Sequence, residues 1–140
     1  MGVSDYLRPE HGYAMLVVIY TNLMLVYLML QVGKYRKKAN IKYPAMTSKT
    51  DHLFNCYQRA HHNTLEWLPI FYSLFVPSAI VYPVYASILG ALFVTSRFLY
   101  AWGYYTGDPA KRNWGTWGEL AVLLLLFMVG YITLGQFGIV

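Results

Sequence analysis

Three long stretches of this 140-residue chain contain no aspartate, glutamate, lysine or arginine. They cover residues 11–33, 67–96 and 120–140. Each is long enough to span a membrane, because a helix that crosses the bilayer core needs about 20 consecutive apolar residues. Charged residues make up only 12% of the chain, against about 25% in ordinary soluble domains. The sequence therefore excludes an ordinary soluble domain and favours an integral membrane protein.

The middle charge-free stretch is too long for a single crossing. It contains Pro83 directly after Tyr82, and this pair predicts a short turn between two helices. Four helices result, at residues 13–33, 53–81, 84–105 and 117–137. We therefore expect a single domain over residues 1–140, an all-α integral membrane protein folded as a four-transmembrane-helix bundle.

The positive charges are concentrated in two of the three predicted loops. The loop around Pro83 has none, whereas the first and third loops hold Lys34, Arg36, Lys37, Lys38, Lys42, Lys49, Lys111 and Arg112. These two loops lie on the same side of a four-helix bundle, and the positive-inside rule places that side in the cytosol. Beside a membrane span, a basic run is more typical of topology and lipid contact than of nucleic-acid binding. No nucleic-acid partner is expected.

The second predicted helix begins with polar residues and ends apolar. Arg59, Asn63 and Glu66 are spaced i, i+4 and i+7, which places their side chains on one helical face. A cation and an anion at the mouth of an apolar span are costly unless something binds them. An ionisable residue inside a membrane is for this reason a functional-site hypothesis by default.

The third predicted helix begins with apolar residues and ends polar. Arg97, Tyr100 and Tyr104 lie on one face near its end. Consecutive helices are antiparallel, so the two polar stripes should meet inside the bundle. Further cations come from the flanking loops: Arg36, Lys111 and Arg112. The resulting pocket would hold many cations and one carboxylate. It would suit a small zwitterion with more negative than positive charge, since arginine pairs bidentately with carboxylates.

A purely structural interpretation stays open beside this one. Arg59 and Glu66 can form a structural ion pair, and Arg97 can extend its guanidinium to the membrane interface. Tyr100 and Tyr104 can belong to an interfacial aromatic belt.

The remaining candidates for chemistry give weaker signals. His61 and His62 are adjacent and not spaced i, i+4, and no cysteine or carboxylate partner stands at ligand spacing, so no metal site is expected. His61 is better interpreted as a hydrogen-bonding residue. The single cysteine, Cys56, is interpreted as a small packing residue because no triad-like set of partners is evident.

Two motifs resemble one family. Residues 58–66 read Gln-Arg-Ala-His-His-Asn-Thr-Leu-Glu, and residues 97–107 read Arg-Phe-Leu-Tyr-Ala-Trp-Gly-Tyr-Tyr-Thr-Gly. Together with four short helices they are similar to the MAPEG family, the membrane-associated proteins in eicosanoid and glutathione metabolism. Within it, the segments 54–56, 63–66 and 103–109 resemble the type 3 branch of the microsomal glutathione S-transferases.

The resemblance implies a homotrimer with one glutathione site at each subunit interface, and glutathione as co-substrate without a metal. It implies that glutathione is held by Arg36, Arg59, His61, Asn63, Glu66, Arg97, Tyr100 and Tyr104. Among these, Arg36 and His61 would come from the neighbouring subunit. It assigns thiol activation to Arg112, or to Lys111 if the register shifts by one residue.

The resemblance also implies an activity and a location. The expected enzyme is a glutathione transferase and glutathione-dependent peroxidase acting on lipophilic electrophiles or lipid hydroperoxides, with leukotriene-C synthesis within its range. The expected location is the endoplasmic reticulum membrane. The alternatives are a non-enzymatic lipid-binding scaffold of the same family and, less favoured, a small channel or transporter, whose usual broken helices and repeats are missing.

Overall fold

The computed structural model describes residues 7–139, and this part of the chain is entirely helical apart from turns and loops. Four helices run through it: α1 over His11–Lys38, α2 over His52–Val81, α3 over Pro83–Tyr105 and α4 over Gly118–Gln136. All four are long and apolar enough to cross a membrane. The predicted four-helix membrane bundle is therefore confirmed.

The first helix is longer than predicted. It continues past Gly33 to Lys38, so the basic residues at 34–38 lie on its last turns and not in a loop. Lysine and arginine are good helix formers, and cations are stabilised at a helix C-terminus. The helix ends in a Schellman motif: Asn40 adopts φ 54°, and the backbone N–H of Ile41 donates to the carbonyl oxygen of Arg36 at 3.1 Å.

Residue types at the helix starts explain where α2 and α3 begin. Asp51 caps α2, because its carboxylate accepts from the backbone N–H of Phe54 at 2.7 Å. Only Tyr82 separates α2 from α3, and Pro83 occupies the first turn of α3, where its missing N–H costs nothing. The turn predicted at these two residues is confirmed.

Consecutive helices run antiparallel, and the bundle encloses a buried apolar core. Phe71 of α2 stacks on Phe93 of α3 with 4.6 Å between ring centroids, and both rings are fully buried. At Gly90 of α3 a methyl group would collide with Val17 of α1 and with Phe75, so the missing side chain permits the close approach of these helices. The core thus holds α1, α2 and α3 together and fixes how their polar ends meet.

The third loop contains an element that the sequence did not predict, a 3-10 helix over Pro109–Trp114. Asp108 caps it by accepting from the backbone N–H of Ala110 at 3.0 Å. The 3-10 helix lies against the end of α3, where a Cβ at Gly103 would overlap the carbonyl oxygen of Lys111. Glycine at this position is what lets the third loop sit directly on α3.

Candidate functional site

The polar stripe of α2 is joined by its own hydrogen bonds. Arg59 donates from Nη1 to Oε1 of Glu66 at 2.9 Å, and this contact is also an ion pair. Asn63 donates from Nδ2 to the second carboxylate oxygen, Oε2, at 3.3 Å. Both oxygens of Glu66 therefore have a donor, and the three side chains form one connected unit on one helical face.

Arg97 connects this stripe to α3. Its Nη2 donates to Oδ1 of Asn63 at 2.7 Å, and its Nε donates to Oγ1 of Thr64 at 3.2 Å. The guanidinium carbon lies 3.9 Å from the ring centroid of Tyr100, a cation–π contact. The predicted meeting of the two stripes is therefore present in the structure. We call the group Arg59, Asn63, Thr64, Glu66, Arg97 and Tyr100 the polar cluster.

The polar cluster is buried at one end and open at the other. The side chain of Arg97 is 0% exposed, and its Nη1 has no hydrogen-bond partner among residues 7–139. The side chains of Arg59 and Glu66 are 52% and 56% exposed. The idea that Arg97 extends to the membrane interface is therefore wrong, because the close packing of α2 and α3 encloses its guanidinium. Nη1 of Arg97 is therefore a buried donor group without an acceptor in the described part of the chain.

The two tyrosines of α3 are also buried, with exposed fractions of 5% for Tyr100 and 7% for Tyr104. Their ring centroids are 5.2 Å apart. An aromatic belt residue exposes its ring to the membrane interface, so the belt interpretation of these two tyrosines is wrong. Tyr104 lies next to Tyr100, on the side of the polar cluster that is nearer the end of α3.

Arg36 and His61 lie apart from the polar cluster within the described chain. The Arg36 side chain is nearly buried, and its guanidinium carbon lies 4.3 Å from the ring centroid of Tyr43 and 4.8 Å from that of Phe54. His61 is half-buried, with its ring centroid 6.1 Å from that of His62. No hydrogen bond in residues 7–139 joins either side chain to the cluster.

The two candidate thiol-activating residues are exposed on the 3-10 helix. Arg112 donates from Nη1 to the carbonyl oxygen of Pro109 at 3.5 Å, which is a weak contact. In the part of the chain that the structure describes, no ion pair or hydrogen bond holds the side chain of Lys111. Both side chains are free to turn towards a ligand, and the geometry does not distinguish between them.

Sequence reasoning missed two residues that shape the site. Thr64 accepts the hydrogen bond from Nε of Arg97 and donates to the carbonyl oxygen of Ala60 at 3.0 Å. Its only signal in the sequence was its place within the α2 motif, one residue after Asn63 and off the face of the stripe, and its full burial is visible only in the structure. Gly103 sets the position of the third loop, and its signal was a glycine inside the third-helix motif.

Cys56 is buried, as a packing residue would be. Its Sγ lies 3.6 Å from Nε2 of His52, and the same ring nitrogen lies 3.2 Å from the carbonyl oxygen of Gly107. His52 therefore makes the contact between the start of α2 and Gly107 just after the end of α3, and Cys56 packs against its ring.

The polar cluster offers complementary charges to one small molecule. Arg59 is exposed and can donate to a carboxylate, and charge-assisted bonds of this kind are about twice as strong as neutral ones. The buried guanidinium of Arg97 adds positive charge behind it. Glu66 can accept from an ammonium group at the exposed end. The arrangement fits a ligand that carries both charges.

Comparison with known proteins supports the same family as the two sequence motifs. A family model described as "MAPEG family" matches residues 14–132. The chain is 34% identical over 118 residues, 81% of each chain, to an uncharacterized protein of Synechocystis sp.. It is 36% identical over 105 residues to microsomal glutathione S-transferase 2 of Homo sapiens, covering 74% of this chain and 69% of the human protein.

The bovine counterpart gives a similar match. Microsomal glutathione S-transferase 2 of Bos taurus is 35% identical over 107 residues, covering 76% of this chain and 71% of that protein. These relatives are of type 2, so the comparisons support the family and not the type 3 branch within it. With four membrane-spanning helices and a family match over most of its length, the chain is an integral membrane protein that belongs to the MAPEG family.

Proposed function

We propose that this protein is a membrane-bound glutathione transferase that also reduces lipid hydroperoxides with glutathione. The observation that carries the proposal is the buried guanidinium of Arg97. It donates to Asn63, which in turn donates to Glu66, and its Nη1 has no hydrogen-bond partner among residues 7–139. An unpaired buried donor calls for an explanation, and a bound ligand that brings the charge of Arg97 into use is one. The names of the mammalian relatives support glutathione as the ligand.

The charges of glutathione match those of the polar cluster. Glutathione has two carboxylates, one ammonium group and one thiol. Arg59 and Arg97 would receive carboxylates, while Glu66 would receive the ammonium group. The hydroxyl groups of Tyr100 and Tyr104 would hydrogen-bond the peptide part of the ligand.

Activation of the thiol would come from the third loop. A free thiol has a pKa of about 8.5, and lowering it by about two units requires roughly 2.7 kcal/mol of preferential stabilisation of the thiolate. One guanidinium or ammonium group close to the sulfur can supply this, which assigns Arg112 or Lys111 to the task. The thiol releases its proton to solvent. The thiolate then attacks the electrophilic carbon of a lipophilic substrate and forms a carbon–sulfur bond. In a substitution a group such as chloride leaves with the electron pair of the bond that breaks, and in an addition the displaced pair becomes a carbanion or alkoxide that takes a proton from solvent.

The peroxidase reaction would use the same thiolate. Its sulfur attacks the terminal oxygen of a lipid hydroperoxide, the oxygen–oxygen bond breaks, and a lipid alcohol leaves with a proton. A second glutathione then displaces water from the oxidised sulfur and forms glutathione disulfide. This reaction needs no group beyond the site that serves conjugation.

A homotrimer would complete the site. The ion pair between Arg59 and Glu66 is about half exposed on the surface of a single chain, although charged groups in membrane helices normally face a bundle interior or a water-filled cavity. A neighbouring subunit would enclose this pair and supply Arg36 and His61. Light scattering in detergent should give a protein mass of three 16.1 kDa chains, and a monomer mass would contradict this part of the proposal.

The proposed location is the endoplasmic reticulum membrane, with the basic end of the bundle in the cytosol. Lys34, Arg36, Lys37 and Lys38 on the last turns of α1 lie at the same end as the third loop, in agreement with the positive-inside rule. A protease added to sealed microsomes should cleave a tag inserted between Lys42 and Lys49. Protection of that tag would contradict the orientation.

The direct test uses purified protein in detergent. Glutathione should raise the unfolding temperature, and the protein should conjugate glutathione to 1-chloro-2,4-dinitrobenzene and reduce cumene hydroperoxide. Ophthalmic acid, in which a methyl group replaces the thiol group of glutathione, should stabilise the protein without supporting either reaction. Stabilisation without activity would favour a binding role, and no stabilisation by glutathione would favour the lipid-binding scaffold of the same family.

A further inference from the structure

Three tyrosines from three different helices stack on one another at the basic end of the bundle. The ring centroids of Tyr35 in α1 and Tyr57 in α2 are 4.7 Å apart, and those of Tyr57 and Tyr105 in α3 are 3.9 Å apart. The rings are nearly parallel, with interplanar angles of 19° and 9°. We call this group the tyrosine stack. It joins the end of α1 to the start of α2 and the end of α3.

A cavity of about 220 Å³ lies beside the tyrosine stack, between α1 and α2. Its lining combines cations, hydrogen-bonding groups and one apolar side chain: Gln31, Lys34, Tyr35, Lys38, Leu53 and Tyr57. None of these residues belongs to the polar cluster. The cavity is therefore a separate place in the fold, with its own chemistry.

The charges around this cavity favour an anion. Lys34 and Lys38 are spaced i, i+4 on α1, and like charges at this spacing repel each other. The Nζ atom of Lys38 lies 5.8 Å from the ring centroid of Tyr35. No carboxylate is among the lining residues, and Asp51, which caps α2, lies near the hydroxyl group of Tyr35. An anion between the two lysines would relieve their repulsion.

The position of the cavity favours the headgroup of a lipid. It lies where the apolar part of α1 passes into its basic last turns, the depth at which lysine and tyrosine side chains meet phosphate groups. Basic pockets between membrane helices bind lipid headgroups by the same charges. We propose that this cavity binds the phosphate group of an anionic glycerophospholipid, with Lys34 and Lys38 on the phosphate and the hydroxyl groups of Tyr35 and Tyr57 on the glycerol side.

Native mass spectrometry of the detergent-purified protein tests this site. Phosphatidylglycerol should remain bound at lower concentration than phosphatidylcholine, which has the same phosphate but no net charge. The double variant Lys34→Gln and Lys38→Gln should weaken phosphatidylglycerol binding by about thirtyfold, since each lysine near a lipid surface contributes about fivefold. Tyr57→Phe keeps the stacked ring and removes the hydroxyl group, so it should weaken binding less than the double variant.

The matched control removes the same charge from another place. Lys42→Gln with Lys49→Gln lowers the net charge equally, and neither residue lines the cavity. The proposal is overturned if this control weakens phosphatidylglycerol binding as much as the Lys34 and Lys38 pair does. It is also overturned if inorganic phosphate at millimolar concentration displaces the lipid, because the site would then select a free ion. Glutathione-dependent stabilisation should survive in both double variants, which separates failure of this site from failure of the proposed function.

Discussion

Arg97 of α3 and Asn63 of α2 are joined across the helix interface by a hydrogen bond of 2.7 Å from Nη2 to Oδ1. The same Asn63 donates to Glu66, so one amide group receives from the buried arginine and gives to the half-exposed carboxylate. The amide of Asn63 therefore couples the position of the fully buried Arg97 guanidinium to that of the Glu66 carboxylate at the exposed end of the polar cluster. A ligand at the open end would meet a carboxylate whose orientation is set by the core.

Thr64→Val should destabilise the protein. Valine has the shape of threonine but removes the acceptor for Nε of Arg97, and a buried donor that loses its partner costs about 1–3 kcal/mol. The free energy of unfolding in detergent, followed by circular dichroism, should fall by this amount. Thr133→Val is the control, because Thr133 is exposed and donates only to the carbonyl oxygen of Val129 in its own helix. Equal losses in the two variants would contradict the importance of the contact.

Arg112→Ala and Lys111→Ala should separate the two candidates for thiol activation. The variant that removes the activating cation should lower kcat/KM about 25-fold at pH 7, since the thiol returns towards its ordinary pKa of about 8.5 and only about 3% of it is then ionised. A cation lowers the pKa of a neighbouring thiol, so its removal should move the rise of the rate to higher pH. Both side chains are exposed, and the unfolding temperature should stay unchanged. Full activity in the double alanine variant would eliminate the third loop as the source of activation.

Gly103→Ala should impair activity by moving the third loop. The new methyl group would overlap the carbonyl oxygen of Lys111 and approach the backbone nitrogen of Arg112 at 3.0 Å, so the 3-10 helix must shift. We expect kcat to fall at least tenfold, while glutathione binding to the polar cluster is retained. Gly130→Ala is the control, because nothing lies within 4 Å of a Cβ at that position. An unaffected kcat in Gly103→Ala would show that the loop position does not matter for catalysis.

The fold could be predicted from the sequence because each helix has a strong and independent signal. The charge-free stretches and the turn at Pro83 located the helices, and helical spacing placed Arg59, Asn63 and Glu66 on one face. The charge pattern does not predict the extension of α1 to Lys38, because a basic segment beside a span is typical of a loop, although lysine and arginine are good helix formers.

The parts of the site that could not be predicted depend on contacts between distant segments. The 3-10 helix over Pro109–Trp114 has no apolar periodicity, and its position follows from the contact between Lys111 and Gly103. The full burial of Arg97 likewise depends on how closely α2 and α3 pack. Residues that would come from a neighbouring subunit cannot be assigned from spacing within one chain, since spacing reports only which residues share a helix face.

Glu66→Gln should weaken glutathione binding with little effect on stability. Glutamine keeps the size of the side chain and removes the charge proposed to receive the ammonium group. A hydrogen bond to a charged group contributes about 1.5–3 kcal/mol, so the Kd from isothermal titration should rise about ten- to a hundredfold. The ion pair with Arg59 is about half exposed, so its loss should cost at most about 1 kcal/mol of stability.

A double comparison isolates the ammonium contact of Glu66. N-acetyl-glutathione lacks the positive charge, so wild-type protein should bind it much more weakly than glutathione, whereas Glu66→Gln should discriminate little between the two ligands. Glu10→Gln is the control, because Glu10 is an exposed carboxylate at the other end of the bundle and makes no side-chain capping bond to α1. If Glu66→Gln retains the full preference for the free ammonium group, then Glu66 does not receive it. The proposed orientation of glutathione in the polar cluster would then have to be reversed, with the ammonium group placed away from α2.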